Sequence, residues 1–177
     1  MATTKWALDP THSEIGFKVK HLMFTNVSGN FKTFTASAET DGDNFSNAKI
    51  EFSADTDSIT TNNEQRDQHL KSADFFDAPS FPKLSFSATK LADKGDGEHE
   101  LTGDLTLHGV TKPVKLNVEF GGIVKDPWGN IKAGFSLNGK LNRKDFGLNW
   151  NAALETGGVM VSEEVKIHAE IQLVKQA

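Results

Sequence analysis

Residues 101–120, LTGDLTLHGVTKPVKLNVEF, contain the pattern that decides the fold of this chain. Every second residue is apolar or Gly before His108, and every second residue is apolar after Pro113. Because side chains alternate between the two faces of a strand, each half has one apolar and one polar face. Gly109 supplies a permissive backbone between the halves. The stretch predicts two antiparallel strands joined by a turn, and it favours a structural role for His108 over a catalytic one.

The same period of two extends outward in both directions. The further alternating runs are 15–19, 50–54, 84–88, 135–141 and 165–173, with additional candidate strands at 6–8 and 30–39. Strands of a parallel sheet, buried on both faces, would instead read as continuous apolar runs. Turn signals such as Asp41-Gly42 and Gly121-Gly122 separate the runs. The sequence predicts one all-β domain over 1–177, an antiparallel barrel or sandwich of about eight strands.

Small residues on the predicted inner face allow two interpretations. They are Gly103, Gly139, Ala54, Ala88 and Ala169. They could leave open space inside the domain, or they could permit kinks in strongly curved strands.

The composition excludes several classes of protein. The 177 residues include no Cys, so disulfides, thiolate metal sites and a Cys nucleophile are absent. A net charge of −5 gives no indication of binding to nucleic acid or to an anionic membrane. No run of about 18 apolar residues is present to span a bilayer, and no stable membrane insertion is expected. The N-terminus lacks the apolar stretch of a signal peptide, which predicts a cytoplasmic location, or a periplasmic one only for a trimmed chain.

Residues 66–77, RDQHLKSADFFD, break the alternation and predict the single helix. Asn62 or Asn63 can serve as its N-cap, and Gln65 suits a capping box begun by Asn62. Pro79 and Pro82 would end the segment before the next strand. Three interpretations remain open: a solvated face with local ion pairs, a polar contact of Arg66 or His69 with a ligand at a barrel mouth, or a lid carrying Phe75 and Phe76.

The chain contains few patterns typical of catalysis. The chain has six His but no HExxH motif, no GxSxG elbow and no glycine-rich phosphate loop. Scattered His without ligand spacing are more often structural or exposed. In the segment 142–150, an Arg143–Asp145 pair that fixes the loop is one interpretation, and Trp150 at a cavity rim is the other.

Several motifs, in the same order along nearly the whole chain, resemble the YceI-like family of polyisoprenoid-binding proteins. These are WALDPTHS at 6–13, IGFKVKH at 15–21, GNF at 29–31, SITTN at 58–62, RDQHLKSADFFD at 66–77, FPKLSF at 81–86, GDLTLHGVTKPV at 103–114, LNRKDFGL at 141–148 and EVKI at 164–167. The resemblance implies an extended lipocalin-like barrel with a helix beside or capping it, an apolar pocket for an isoprenoid or similar amphiphile, often a dimer, and no enzymatic activity or cofactor. It also implies roles in isoprenoid or quinone handling and in stress responses.

The predicted function is therefore binding of a polyisoprenoid, an isoprenoid quinone or a similar lipid in an apolar tunnel, for storage, transport or sequestration. An eight-stranded barrel can hold one slim ligand. The inward candidates for ligand contact are Phe17, Val19, Phe52, Phe86, Leu105, Leu116, Phe135, Leu137 and Ile167, with Trp150 and Phe75 near one end and His12, Arg66 and His69 as polar candidates. A lipid-modifying enzyme that uses His12 or His69 in the same barrel is the alternative.

Overall fold

The computed structural model describes residues 3–22, 24–151 and 160–177. These residues form one helix, α1 (Glu64–Lys71), and eleven strands. The strands are β1 (Thr3–Leu8), β2 (Glu14–His21), β3 (Thr25–Phe31), β4 (Phe34–Asp41), β5 (Asn44–Asp55), β6 (Ile59–Thr60), β7 (Lys83–Gly95), β8 (Glu98–Leu107), β9 (Val110–Lys125), β10 (Ile131–Asn142) and β11 (Val161–Lys175). Three short 3-10 turns lie at Pro10–His12, Thr56–Ser58 and Arg143–Phe146.

The strands form a closed antiparallel barrel of eight. The ring runs β1-β4-β5-β7-β8-β9-β10-β11, and β1 pairs again with β11 to close it. β2, β3 and β6 extend this ring at one end. β1 and β2 pair with the same edge of β11, one after the other along its length. The prediction of an all-β antiparallel barrel with one helix is confirmed. The candidate strand at 30–39 is in fact two strands, because the chain bends at Lys32 and Thr33.

The β8–β9 hairpin forms as the alternation predicts. Leu107 pairs with Val110, and His108 and Gly109 between them both have positive φ, 54° and 74°. Two consecutive residues of this kind make the turn whose twist matches the flanking strands. His108 Nδ1 lies 3.2 Å from the carbonyl oxygen of Phe146, and its ring packs on Phe81. These contacts give His108 a structural role in joining two loops.

The inward glycines do not leave empty space. A Cβ built on Gly103 would lie 2.6 Å from the ring of Phe86, and one on Gly139 would lie 2.5 Å from Leu116 Cδ2. Each glycine lets a large side chain of the adjacent strand lie across the sheet. At these two positions the neighbouring side chains fill the space.

An aromatic cluster fills one end of the barrel. Phe45 lies 5.1 Å from both Trp6 and Phe135 by ring centroids, and Phe120 stacks on Phe135 at 5.1 Å. Trp6 is 1% exposed, and its Nε1 donates to Thr40 Oγ1 at 2.8 Å. This end, which also carries the β9–β10 turn, is called the closed end below. Within the described ranges, no helix is long and apolar enough to cross a membrane.

Candidate functional site

An apolar cavity of about 370 Å³ lies inside the barrel. Phe45 and Phe135 line its floor, with Trp6 and Phe120 packed behind them. From there the cavity extends to the opposite end of the barrel, where Met160 and Trp150 line its mouth. Many inward side chains are only half-buried, because they face this cavity instead of a filled core.

Thirteen of the fourteen predicted ligand-contact residues line the cavity, and the fourteenth, His12, does not. The thirteen are Phe17, Val19, Phe52, Phe75, Phe86, Leu105, Leu116, Phe135, Leu137, Trp150, Ile167, Arg66 and His69. Strand alternation places the nine inward strand residues on one surface. That these residues contact a ligand remains a prediction.

Sequence reasoning missed other lining residues, among them Phe31, Phe45, His21 and Met160. His21 continues the odd-numbered phase of β2, so the alternation could have indicated it. Phe45 could not be found in this way. Phe45 and Ala48 on β5 are both buried, although strict alternation would place an odd-numbered and an even-numbered residue on opposite faces. The alternation is therefore interrupted between them, next to a register shift between β4 and β5. An irregularity of this kind moves a side chain to the other face without a signal in the alternation.

His12 lies outside the cavity, with a side chain that is 57% exposed. Its Nδ1 is 2.9 Å from Asp9 Oδ2, in the 3-10 turn that joins β1 to β2. Asp9 also accepts from the Thr11 hydroxyl at 2.8 Å and from Lys132 Nζ at 2.8 Å. The placement of His12 as a polar ligand contact finds no support here, because the turn holds its ring against Asp9.

Asp9 joins the β1–β2 turn to β10 through a largely buried ion pair. The Asp9 and Lys132 side chains are 12% and 15% exposed, and Asp126 lies 3.7 Å from the same ammonium. The hydrogen bond from Lys132 holds the pKa of Asp9 well below its usual range, against the opposing effect of burial. The carboxylate is therefore more stable in the folded chain than in the unfolded one.

We expect Asp9→Asn to lower the free energy of unfolding by about 2 kcal/mol at neutral pH, because it removes a charge-assisted hydrogen bond. Since the folded pKa of Asp9 is depressed, this contribution is fully present above about pH 5, where an unfolded Asp is almost completely ionised. It is lost as the pH falls towards the folded pKa. Urea unfolding across this pH range should show that the difference in the free energy of unfolding between wild type and variant becomes smaller only at acidic pH. Asp57→Asn, at an 83% exposed side chain, is the control.

Helix α1 begins at Glu64 and lies at the mouth. Asn63 is its N-cap, and Asn63 Oδ1 accepts from the backbone N–H of Arg66 at 3.0 Å. Asn62 precedes the cap with a φ of 61°. The capping box of Asn62 with Gln65 is therefore wrong, because a left-handed residue outside the helix cannot cap it in this register.

The charges of α1 anchor the helix to the end of β6. Asp67 Oδ1 accepts from the backbone N–H and the hydroxyl of Thr61 at 2.7 and 2.6 Å. Arg66 Nε donates to the same hydroxyl at 2.7 Å, and its Nη2 donates to the Thr61 carbonyl at 2.8 Å. Thr61 is 5% exposed. Arg66 is exposed, as the interpretation of a solvated face expects, while Arg66 and Asp67 also hydrogen-bond to the buried Thr61.

Aromatic side chains after α1 cover the mouth. Phe75 packs on His69 and Trp150 with ring centroids 5.1 and 5.4 Å apart, and His69 meets Trp150 edge-on at 4.7 Å. Phe76 packs edge-on against Phe31 on the cavity wall. This arrangement matches the lid interpretation. His69 Nε2 also lies 2.9 Å from Asp74 Oδ2. Among the described residues that line the cavity, His69 is the one histidine paired with a carboxylate.

Among the residues that the structure describes, Arg143 is the one charged residue that is buried, at 3% exposure. Its guanidinium donates to the carbonyl oxygens of Leu148 (2.6 Å), Trp150 (2.8 Å), Ser162 (2.8 Å) and Val161 (3.2 Å). Burial lowers the pKa of Arg143 and Glu163 opposes the shift, yet an arginine remains charged. The predicted Arg143–Asp145 pair is wrong: carbonyl groups on both sides of residues 152–159 hold this side chain. Trp150 does lie at the cavity rim.

The described residues contain no group of three His, Cys, Asp or Glu able to hold a metal ion. The polar atoms of the lining are few, and those of Thr61, Arg66 and Arg143 are already engaged with the protein. The arrangement can therefore enclose an apolar chain through dispersion and burial, with polar groups only near the mouth.

Comparisons with known proteins agree with this geometry. The family model for the YceI-like domain matches residues 6–173. A UPF0312 protein of Staphylococcus aureus strain N315 is 39% identical over 170 residues, 96% of each chain. The crystal structure of the Campylobacter jejuni YceI protein is similar with a TM-score of 0.77 and 34% identity, covering 96% of this chain and 97% of that one. A domain from Saccharophagus degradans described as polyisoprenoid binding shares the fold, with a TM-score of 0.70 at 17% identity over 97% of this chain and 98% of that one. The chain belongs to the YceI-like family.

Proposed function

We propose that this protein binds one amphiphilic lipid with an isoprenoid or similar apolar chain inside the barrel. The observation that carries the proposal is the apolar cavity of about 370 Å³, which reaches from an aromatic floor to a mouth with polar side chains. Its volume falls within the range of small-molecule sites, roughly 300–1,000 Å³. The description of the Saccharophagus degradans domain as polyisoprenoid binding favours an isoprenoid as the chain.

The physical basis is burial of the chain. Each CH₂ group removed from water contributes about 0.8 kcal/mol, so a chain lying between Phe17, Phe52 and Leu105 needs no hydrogen bonds to be held. The head group would lie near Arg66 and His69 at the mouth. Storage, transport or sequestration of an isoprenoid quinone, a link to stress responses and assembly as a homodimer complete the proposal, and these parts rest on the family resemblance. Light scattering after size exclusion measures the dimer.

Native mass spectrometry of freshly purified protein tests the binding role directly. We expect one prenyl or acyl amphiphile per chain, released by solvent extraction and chemically unaltered. A protein that is empty on purification should gain one molecule of geranylgeraniol after incubation. Failure to retain any prenyl alcohol or quinone under both conditions would contradict the proposal.

Filling the cavity should abolish binding without unfolding the barrel. Ala36 on β4 lines the cavity opposite Phe52, so Ala36→Phe places a ring in the ligand space. We expect at least about a tenfold loss of geranylgeraniol affinity by titration calorimetry, because the displaced chain loses several buried CH₂ groups. Thr35→Phe adds the same ring at an exposed position on the same strand, and its affinity should be unchanged. Equal affinity in both variants would place the ligand elsewhere.

A lipid-modifying enzyme is the second candidate, and the His69–Asp74 pair at the cavity mouth is what favours it. A carboxylate beside an imidazole orients it for general acid–base chemistry. If the protein were such an enzyme, His69→Gln would abolish conversion of a bound lipid while the melting temperature stayed within a few degrees. Recovery of the unaltered lipid from wild-type protein after prolonged incubation supports the binding role instead.

A further inference from the structure

The tip between β2 and β3 exposes apolar side chains at the cavity mouth. Leu22 is 40% exposed and Phe24 is 81% exposed. Leu22 has a φ of 57°, a conformation that a bulky residue rarely adopts and that clusters at functional segments. Its backbone N–H donates to the carbonyl of Met160 at 2.7 Å, and that of Phe24 donates to His21 at 3.2 Å. The backbone is thus held in place while the two side chains face solvent.

The two exposed side chains lie next to residues that line the cavity. Met160, which accepts from Leu22, and His21, which accepts from Phe24, both line the cavity. Large apolar side chains are also exposed at Val124 and Trp128, but these lie at the closed end, in and beside the β9–β10 turn. The hairpin tip, defined as Leu22 and Phe24, therefore lies beside the mouth of the cavity.

A row of lysines crosses the outer face of the barrel below this tip. Lys18 on β2 lies opposite Lys166 on β11, which lies opposite Lys140 on β10. Lys115 on β9 lines the same surface groove, and Lys20 lies two residues nearer the tip on the exposed face of β2. Like charges directly opposite each other destabilise a sheet. These four residues, Lys18, Lys115, Lys140 and Lys166, are called the lysine row.

Within the part of the chain that the structure describes, Lys140 is the one lysine of the row that forms an ion pair. Glu164 pairs with Lys140 at 3.3 Å, whereas Glu100 forms its ion pair with Lys94 at 3.1 Å and not with Lys115. Among the residues the structure describes, no carboxylate lies within ion-pair distance of Lys18 or Lys166. The net charge of −5 gave no sign of this positive surface, because only strand pairing brings the lysines together.

We propose that the hairpin tip and the lysine row dock the protein on an anionic lipid surface, with the cavity mouth next to the bilayer. Exposed aromatic and aliphatic side chains insert at the level of the head groups, and nearby lysines are attracted to anionic lipids. A water-insoluble chain could then pass between bilayer and cavity without crossing water. This second step rests on the proposed function, whereas the docking itself does not.

Flotation with vesicles of an equimolar mixture of phosphatidylcholine and phosphatidylglycerol tests the docking. We expect wild-type protein to float with these vesicles, and binding to pure phosphatidylcholine to be weaker by at least about fivefold. The double variants Leu22→Ser/Phe24→Ser and Lys18→Glu/Lys166→Glu should each weaken binding to the mixture by about fivefold or more. Trp128→Ser, at an equally exposed aromatic on the closed end, should bind as wild type does. Absence of wild-type binding, or equal loss in all three variants, overturns the proposal.

A second measurement separates this proposal from the function on which its last step depends. Geranylgeraniol added from ethanol should bind wild-type protein and Leu22→Ser/Phe24→Ser equally, because these side chains do not line the cavity. Its transfer from the anionic vesicles should be slower for the variant by about the same factor as its loss of vesicle binding. Vesicle binding without any uptake of geranylgeraniol would contradict the proposed function and leave the docking intact. Equal transfer by both proteins would overturn the role of the tip in ligand entry.

Discussion

Replacing Arg143 by Met is expected to lower the free energy of unfolding by about 3 kcal/mol or more. Met keeps the apolar length of the side chain but removes every donor, so the carbonyls of Leu148, Trp150, Val161 and Ser162 lose a shared partner. A buried acceptor without a partner costs about 1–3 kcal/mol. Urea unfolding with linear extrapolation measures the change.

Lys144→Met is the matched control for this experiment. Lys144 is the next residue in the chain, is 45% exposed and forms an ion pair with Glu163 at 2.9 Å. An exposed pair of this kind contributes only about 0–1 kcal/mol. Arg143→Lys should fall between the two, because an ammonium cannot reach four carbonyls arranged around a planar fork. Equal stability of Arg143→Met and Lys144→Met would mean that water replaces the guanidinium without loss.

Replacing Trp6 by Ala should lower the free energy of unfolding by about 3–5 kcal/mol, the range for large aromatic residues in a core. The substitution removes the side chain that supports Phe45 and leaves the Thr40 hydroxyl without the indole N–H. Because Phe45 lines the floor of the cavity, we also expect faster dissociation of a bound prenyl alcohol. Denaturant unfolding and ligand release, followed on the same samples, measure both effects.

Trp6→Phe and Trp128→Ala complete the second experiment. Trp6→Phe keeps an aromatic ring but not the hydrogen bond to Thr40, so its loss of stability should be smaller than that of Trp6→Ala. Trp128 is 83% exposed at the same end of the barrel, and its removal should change stability by less than about 0.5 kcal/mol. A similar small effect of Trp6→Ala would show that the closed end does not depend on the aromatic cluster.

Much of the cavity wall could be predicted because its signal is local. On β2, β8 and β11 an uninterrupted alternation places Phe17, Leu105 and Ile167 inward, and each lines the cavity. The helix was also predictable from the break in alternation and from an Asn that could cap it, although the cap is Asn63 and not Asn62. The phase change between Phe45 and Ala48 was not predictable, since an irregular register leaves no periodic trace.

Polar partners across the chain also lay beyond sequence reasoning. Asp9 meets Lys132, and Arg143 meets carbonyls rather than the Asp145 two positions away. Sequence reasoning pairs a charged residue with an opposite charge close to it in the chain. Burial selects the partners instead, because a desolvated guanidinium requires acceptors wherever the fold supplies them.

The sequence by itself determined that this chain forms antiparallel strands with one apolar face, a hairpin at His108-Gly109 and one short helix, and its motifs indicated the YceI-like family. These features depend on residues close together in the chain. Only the tertiary structure decided that Trp6 lies opposite Lys175 to close the ring, and that the lysines at 18, 140 and 166 meet in one row. The reason is physical: alternation fixes which face a side chain takes, whereas pairing between distant strands fixes its neighbours.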